Sequence, residues 1–309
     1  GGPGTVFISQ GATGNLVIDN NGRNGVTILN NDSYIFGDMV VKGGANFYLP
    51  SQLTCANFNV QNGAVLIAPD DAAINISNVF NLNQSQLIGQ NQKIVTIEGD
   101  DIILEDSEIR ANVLIQADSL TIDSNSAILS TGLGYLSEQG PGAGIIVDMA
   151  WGGSYGGLGG RNYIDSGSGQ PYGSEEMPDD FGSGGGNAGA KRKGGNGGGK
   201  IEIIIAGEIV IDGVISSNGD NGLPHITSYS ATGAGSGGTV YLSANIIEGA
   251  GAISANGGSA SSAGGGGAGG RVAVYGNTDN FVGVAEALGG KNSDNVLSNG
   301  EDGTVFLGL

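Results

Sequence analysis

The stretch Lys200–Gly219, KIEIIIAGEIVIDGVISSNG, decides the fold. Two β-branched apolar runs, IEIII and EIVIDGVI, flank a short Ala-Gly-Glu corner, and a Ser/Asn/Gly tail follows. Looser copies are TVYLSANIIEGAGAISANG from Thr239, RVAVYGNTDNFVGVAEALG from Arg271 and TVFISQGATGNLVIDNNG from Thr5. A half-length copy, TVFLGL, begins at Thr304. From Lys200 onward the copies start 39, 32 and 33 residues apart. A recurring period of this size is the signature of a repeat architecture. Apolar β-branched runs bounded by Gly and Asn make the repeating unit a set of strands.

The same rhythm runs through residues 25–131 at shorter spacing. Val41, Val60, Leu82, Leu104 and Ile122 each sit in an alternating run, and successive ones are 19, 22, 22 and 18 residues apart. About 20 residues per unit fits one coil of a parallel β-helix, with strands of successive coils about 4.8 Å apart. Inward residues would stack as aliphatic ladders, and Asn or Gly would take the corners. A β-sandwich of short strands is the alternative, but it needs hairpin turns, and two-residue turn signals are few. The expected fold is an all-β, right-handed parallel β-helix with long Gly-rich insertions.

Composition excludes several classes. Gly is 62 of 309 residues with only 7 Pro and no strict Gly-X-Y period, so collagen is ruled out. The Val/Ile/Leu runs supply a core that a disordered chain lacks. Net charge is −19, from 30 acidic and 11 basic residues. A nucleic-acid or membrane-surface binder needs the opposite sign. No run of 18 apolar residues is present, so no membrane-spanning helix is expected. One cysteine, Cys55, and one histidine, His225, cannot form a disulfide, a zinc site or a thiol triad. Cys55 falls in an alternating run and reads as a buried small hydrophobe. The chain opens on Gly1, which points to a removed leader or to a segment of a longer chain.

Residues 132–199 break the rhythm. They hold almost no aliphatic ladder, but they carry Tyr135, Trp151, Tyr155, Tyr163, Tyr172 and Phe181. A flexible linker needs no such aromatics, so the segment reads as an ordered flap on the solenoid side or on a neighbour. Three units follow from this: solenoid coils over 1–131, the flap over 132–199, and coils with Gly-rich corner loops over 200–309, all in one continuous solenoid. The corner loops GDNGLPHITSYSATGAGSGG, GGSASSAGGGGAGG and GGKNSDNVLSNGEDG should lie beside the flap, because corner insertions fall on one face.

LGYLSEQGPGAG, YGGLGG, GGTVYLSA and GGGGAGGRVAVY together resemble a glycine-rich β-solenoid repeat of large secreted or surface proteins of environmental microbes. The resemblance covers about 130–309 and 1–22. It implies the solenoid fold and an extracellular or cell-surface setting, and it implies no agreed activity. In such a repeat Thr5–Val6–Phe7–Ile8 and Thr304–Val305–Phe306–Leu307 would each be the first strand of a coil. Leu309 makes a poor cap. Open solenoid ends expose unpaired backbone groups, which favours head-to-tail stacking of copies.

Candidate chemistry is sparse. Polysaccharide-cleaving β-helices use acidic calcium ligands and an Arg base; only Arg110 near Glu105, Asp106 and Glu108 suggests this, and a salt-bridged solvent face is the competing expectation. Asp70–Asp71 and Asp100–Asp101 are further acidic pairs. Calcium takes six to eight oxygens, and Glu175, Glu176, Asp179 and Asp180 are the expected ligands, with GDNG (219–222), NSDN (292–295) and GEDG (300–303) as further Asx-rich loops. The basic run Lys191–Arg192–Lys193 is expected to pair with the acidic flap. Asn31, Asn75 and Asn83 open glycosylation sequons. No phosphate-binding loop is present. The expected function is a non-enzymatic subunit that assembles with itself head to tail into an extracellular filament. The alternatives are an adhesin-like repeat segment of a larger surface protein that binds extracellular glycans or neighbouring cells through the flap aromatics, and a pectate-lyase-like polysaccharide-active enzyme. No nucleic-acid partner and no membrane span are expected.

Overall fold

The computed structural model describes residues 4–8, 14–23, 25–29, 31–90, 92–146, 150–161, 169–224, 231–294 and 298–308. His225, Tyr163 and Leu309 lie outside these. The chain is a parallel β-helix with no α-helix among the described residues. Its strands fall into three columns, each built by stacking equivalent strands of successive coils. Column one runs through β4 (Ser33–Ile35), β7 (Gln52–Cys55) and β10 (Ala73–Ile76). It continues through the first halves of β13 (Ile94–Glu105), β15 (Asn112–Ile122), β17 (Lys200–Ile211), β19 (Thr239–Glu248) and β21 (Arg271–Asn277), and ends at β23 (Thr304–Gly308). Column two stacks β2 (Asn15–Asp19), β5 (Asp38–Lys42), β8 (Asn57–Gln61) and β11 (Val79–Asn83) onto the second halves of the long strands. Among the described residues column three holds nine strands, from β3 (Gly25–Ile28) through β6 (Ala45–Tyr48) and β14 (Glu108–Arg110) to β22 (Val284–Glu286).

The ladders follow from alternation, since every second residue of a strand points inward. Val41, Val60, Leu82, Leu104 and Ile122 occupy one register row in column two, extended by Ile18 and Ile211, and all are fully buried. Beside it run Leu16, Met39, Phe58, Phe80, Ile102, Leu120, Ile209 and Ile247. Column one carries Tyr34, Leu53, Ile74, Ile97, Ile115, Ile203, Leu242, Val274 and Leu307 in one row. The corners after column two use left-handed backbone at Asn21, Gly43, Asn62, Gln84 and Asp106. Asn and Gly tolerate that conformation at the least cost. Cys55 is buried in this core, and burial, reinforced by the field of Asp38, pushes its thiol up to about 12.

One expected coil strand is placed differently. β1 (Gly4–Ile8), which contains Thr5–Val6–Phe7–Ile8, does not open column one. It reverses and pairs antiparallel with β2, Gly4 opposite Asp19 through Ile8 opposite Asn15. The β2 edge offers a five-residue ladder, whereas the β4 edge offers three residues. The longer ladder wins, so the column-two edge is covered rather than open.

The glycine segments are the second departure. After Ser130 each coil makes an excursion between column three and column one, and these segments belong to neither sheet. Their backbones bond at every third residue. Gly195 and Gly198 donate to the carbonyls of Gly233 and Ser236, Ala234 and Gly237 to Gly265 and Ala268, and Gly266 and Gly269 to Ser298 and Glu301. A three-residue repeat is that of a polyproline II helix. Cross-bonds knit neighbouring helices together, for example Gly235 to Asp220, Gly258 to Gly235, and Gly267 to Gly258. The described residues of 132–199 add further helices to the same bundle, through Gly182 to Gly198, Gly185 to Gly195, Gly153 to Ala234 and Gly156 to Gly269. The expected side-by-side placement of insertion and corner loops therefore holds, as one hydrogen-bonded body.

Glycine is required there because the helices approach backbone to backbone. A Cβ on Gly235 would overlap the Asn196 carbonyl oxygen, and one on Gly267 would overlap that of Gly235. Each backbone hydrogen bond contributes about 1 kcal/mol net, while ordering a residue costs about 1–2 kcal/mol and most for Gly. Hydrogen bonds alone therefore do not hold the bundle. Its helices are tied at both ends to strands, and buried Trp151 and Tyr155 give it an apolar anchor.

Candidate functional site

The strap 171–181 lies across the starts of β17, β19 and β21. Lys200, Thr239 and Arg271 stand in one register row there, each the first residue of its strand. Lys200 Nζ pairs with Asp179 and, at 3.0 Å, with Glu202. Thr239 Oγ1 donates to the Asp180 carbonyl at 2.7 Å, so the Tyr155 hydroxyl donates to Thr239 Oγ1, also at 2.7 Å. Arg271 donates through Nε and Nη2 to the Tyr172 carbonyl at 2.9 and 2.7 Å, and through Nη1 to Thr304 Oγ1 at 3.1 Å. Its guanidinium also lies 5.5 Å from the centre of the Tyr155 ring and 3.7 Å from Glu175. These anchors were not singled out from sequence. The signal was present: every copy of the repeat opens on Lys, Thr or Arg followed directly by Val or Ile.

Arg271→Ala is expected to cost about 2–3 kcal/mol, because the part-buried Tyr172 carbonyl loses its charge-assisted donors and a ring loses its cation. Arg271→Lys should recover less than half of this, since an ammonium cannot present the fork. Urea unfolding measures the loss, and faster proteolysis within the strap should accompany it. Unchanged values for Arg271→Ala would contradict the clasp.

Burial pushes the Tyr155 phenol up to about 12, and burial also raises Tyr172. Burial pulls Lys200 down, but Asp179 and Glu202 outweigh it and hold its ammonium charged above the usual range. All three groups keep protons that the unfolded chain sheds. Above about pH 10, where unfolded tyrosine ionises, stability should therefore fall with rising pH, and below it these groups add no pH dependence. Phenolate absorbance from the buried tyrosines should rise together with loss of the β circular-dichroism signal. Full tyrosine ionisation with a native spectrum would contradict this.

The strap acids are not gathered. Glu175 and Asp179 face Arg271 and Lys200, while Glu176 and Asp180 offer main-chain carbonyls to Tyr275 and Thr239. Among the described residues no group of three or more His, Cys, Asp or Glu side chains is placed to hold a metal ion. The calcium expected at Glu175, Glu176, Asp179 and Asp180 thus finds no shared ligand set there. Nor does Lys191–Arg192–Lys193 supply the strap's described ion pairs, which go to Lys200 and Arg271; Arg192 donates to the Pro224 carbonyl.

Arg110 lies on the outer side of column three and pairs with Glu108 at 2.9 Å. Glu105 accepts instead from Asn83 Nδ2, and Asp106 takes a corner under Asp123. This is the salt-bridged solvent face. Of the sequon residues, Asn31 is exposed, Asn83 is engaged by Glu105, and Asn75 lines a shallow groove with Glu98, Asp100 and Asp118. Trp151 and Tyr155, expected as glycan-binding aromatics, are buried in the bundle. Tyr135, Tyr172 and Phe181 of the same segment are half-buried, and Tyr241, Tyr275 and Phe306 form a half-exposed row along column one, ring centres 5.6 and 5.5 Å apart.

The remaining feature is the last coil. Val305 and Leu307 of β23 occupy the same rows as Val272 and Val274, which are 0% and 2% exposed; they themselves are 42% and 64% exposed. Among the described residues the inward face of β23 is left partly uncovered. No protein-family model, no curated protein and no solved structure matches this chain.

Proposed function

We propose that this chain is a non-enzymatic structural subunit that stacks end to end with further copies of itself, forming an extracellular or cell-surface fibre. The exposure of Val305 and Leu307 at inward ladder positions carries the reading. Covering a side chain of this kind contributes about 1.5–3 kcal/mol, and a free parallel edge also seeks hydrogen-bond partners. The charge of −19 favours a setting with abundant counterions, since like-charged copies repel and salt screens that repulsion.

Electron microscopy and light scattering of the purified chain test this. Filaments that lengthen with concentration are expected. Leu307→Lys should leave the fold intact, because the position is already exposed, and should leave the protein monomeric. Monomers of the unaltered chain at all concentrations would overturn the proposal. A second reading, binding of an extracellular glycan, draws on Tyr241 and Tyr275, which border a shallow groove with Ser243, Asn245, Asn277 and Asp279. Glycan binding by the monomer, lost in Tyr275→Ala, would favour it.

A further inference from the structure

Among the described residues the first and last coils lack complementary strands. Among the described residues the last level holds only β23, in column one; column three reaches β22, and column two reaches Asn277 and an isolated bridge from Phe281 to Gly249. At the first level β2 and β3 fill columns two and three, and no described strand fills column one, because β4 belongs to the second coil. Among the described residues no strand pairs with the outer edge of β4. β23 of one molecule together with β2 and β3 of another would make one complete coil.

We infer that β23 of one copy seats parallel to β4 of the next and closes its first coil. The inference rests on the stacking reading and names its joint. The register is set by the rows already present. Leu307 belongs to the row that begins at Tyr34, so it would lie beside Tyr34 of the next copy and be covered there. Gly308 belongs to the row of Ile35, which is 65% exposed on the outer side of β4. A second copy fits because its missing column is the one that this copy has in excess. One element stands in the way. β1 covers β2 at the level where residues 277–283 of the first copy would pass, so β1 leaves β2 when the joint forms. Its antiparallel ladder is then exchanged for continuous parallel columns.

Adjacent parallel strands place paired Cα atoms about 4.8 Å apart, within disulfide reach. The test is oxidation of the Tyr34→Cys/Leu307→Cys variant in a Cys55→Ala background. A ladder of disulfide-linked dimers, trimers and longer species is expected, whereas either single variant stops at dimers. Ile35→Cys/Gly308→Cys reports the same joint from the outer side and serves if the inward pair disturbs folding. Filaments without a cross-linked ladder from either pair would overturn this joint while leaving end-to-end stacking in place. Absence of both filaments and ladder would overturn both.

Discussion

Gly235→Ala is expected to disrupt the glycine bundle, at a cost on the order of 3 kcal/mol or more. Gly235 sits where three helices meet: its N–H donates to Asp220, its carbonyl accepts from Gly258, and a Cβ would be driven into the Asn196 carbonyl oxygen. That obstacle is backbone, hydrogen-bonded on both sides, so it cannot rotate away as a side chain can. The matched control is Gly189→Asn. Gly189 has a left-handed φ of 76° but nothing within 4 Å of a Cβ, and Asn tolerates that conformation. It should change stability by less than about 1 kcal/mol. Calorimetric or urea unfolding distinguishes the two. Equal small effects would mean that the bundle tolerates side chains and is not close-packed through its backbones.

Phe80→Ala is expected to cost about 3–5 kcal/mol. Phe80 is fully buried, with its ring 5.3 Å from Phe58 in the coil before, and it bridges to Ile102 in the coil after. A β-helix core is a stack of layers, so an emptied layer cannot be refilled by sliding one strand without shifting every side chain in its register. Phe80→Leu should cost less than about 1.5 kcal/mol, because most of the volume stays. Urea midpoints with unchanged slopes would show the cavity effect. A loss for Phe80→Ala below 1 kcal/mol would place the ring outside the load path of the stack.

The solenoid was legible because alternation and spacing fix the ladder. Val41, Val60, Leu82, Leu104 and Ile122 could be lined up from sequence alone, and they share one row. The glycine bundle was not legible by the same logic. It has no apolar period, and its signal is glycine at intervals of three, as in Gly264, Gly267 and Gly270. That pattern identifies helices packed by their backbones rather than a loose loop. The partners of the strap carboxylates were not legible because the cations facing them, Lys200 and Arg271, are distant in sequence. The reversal of β1 could not be read at all, because Thr5–Val6–Phe7–Ile8 and Thr304–Val305–Phe306–Leu307 are nearly the same strand. Their difference lies in which free edge each can reach.

The most direct test of end-to-end stacking is the axial repeat of the fibre. The described residues of each copy contribute nine column-three strands. If β23 closes the first coil of the next copy, the repeat is nine strand spacings of about 4.8 Å, or about 43 Å. Electron micrographs or fibre diffraction should give that layer line. If β23 instead abutted β1, the two edges would add strands and lengthen the repeat beyond about 50 Å. A repeat of that length, or no fibre at all, would contradict the proposed assembly.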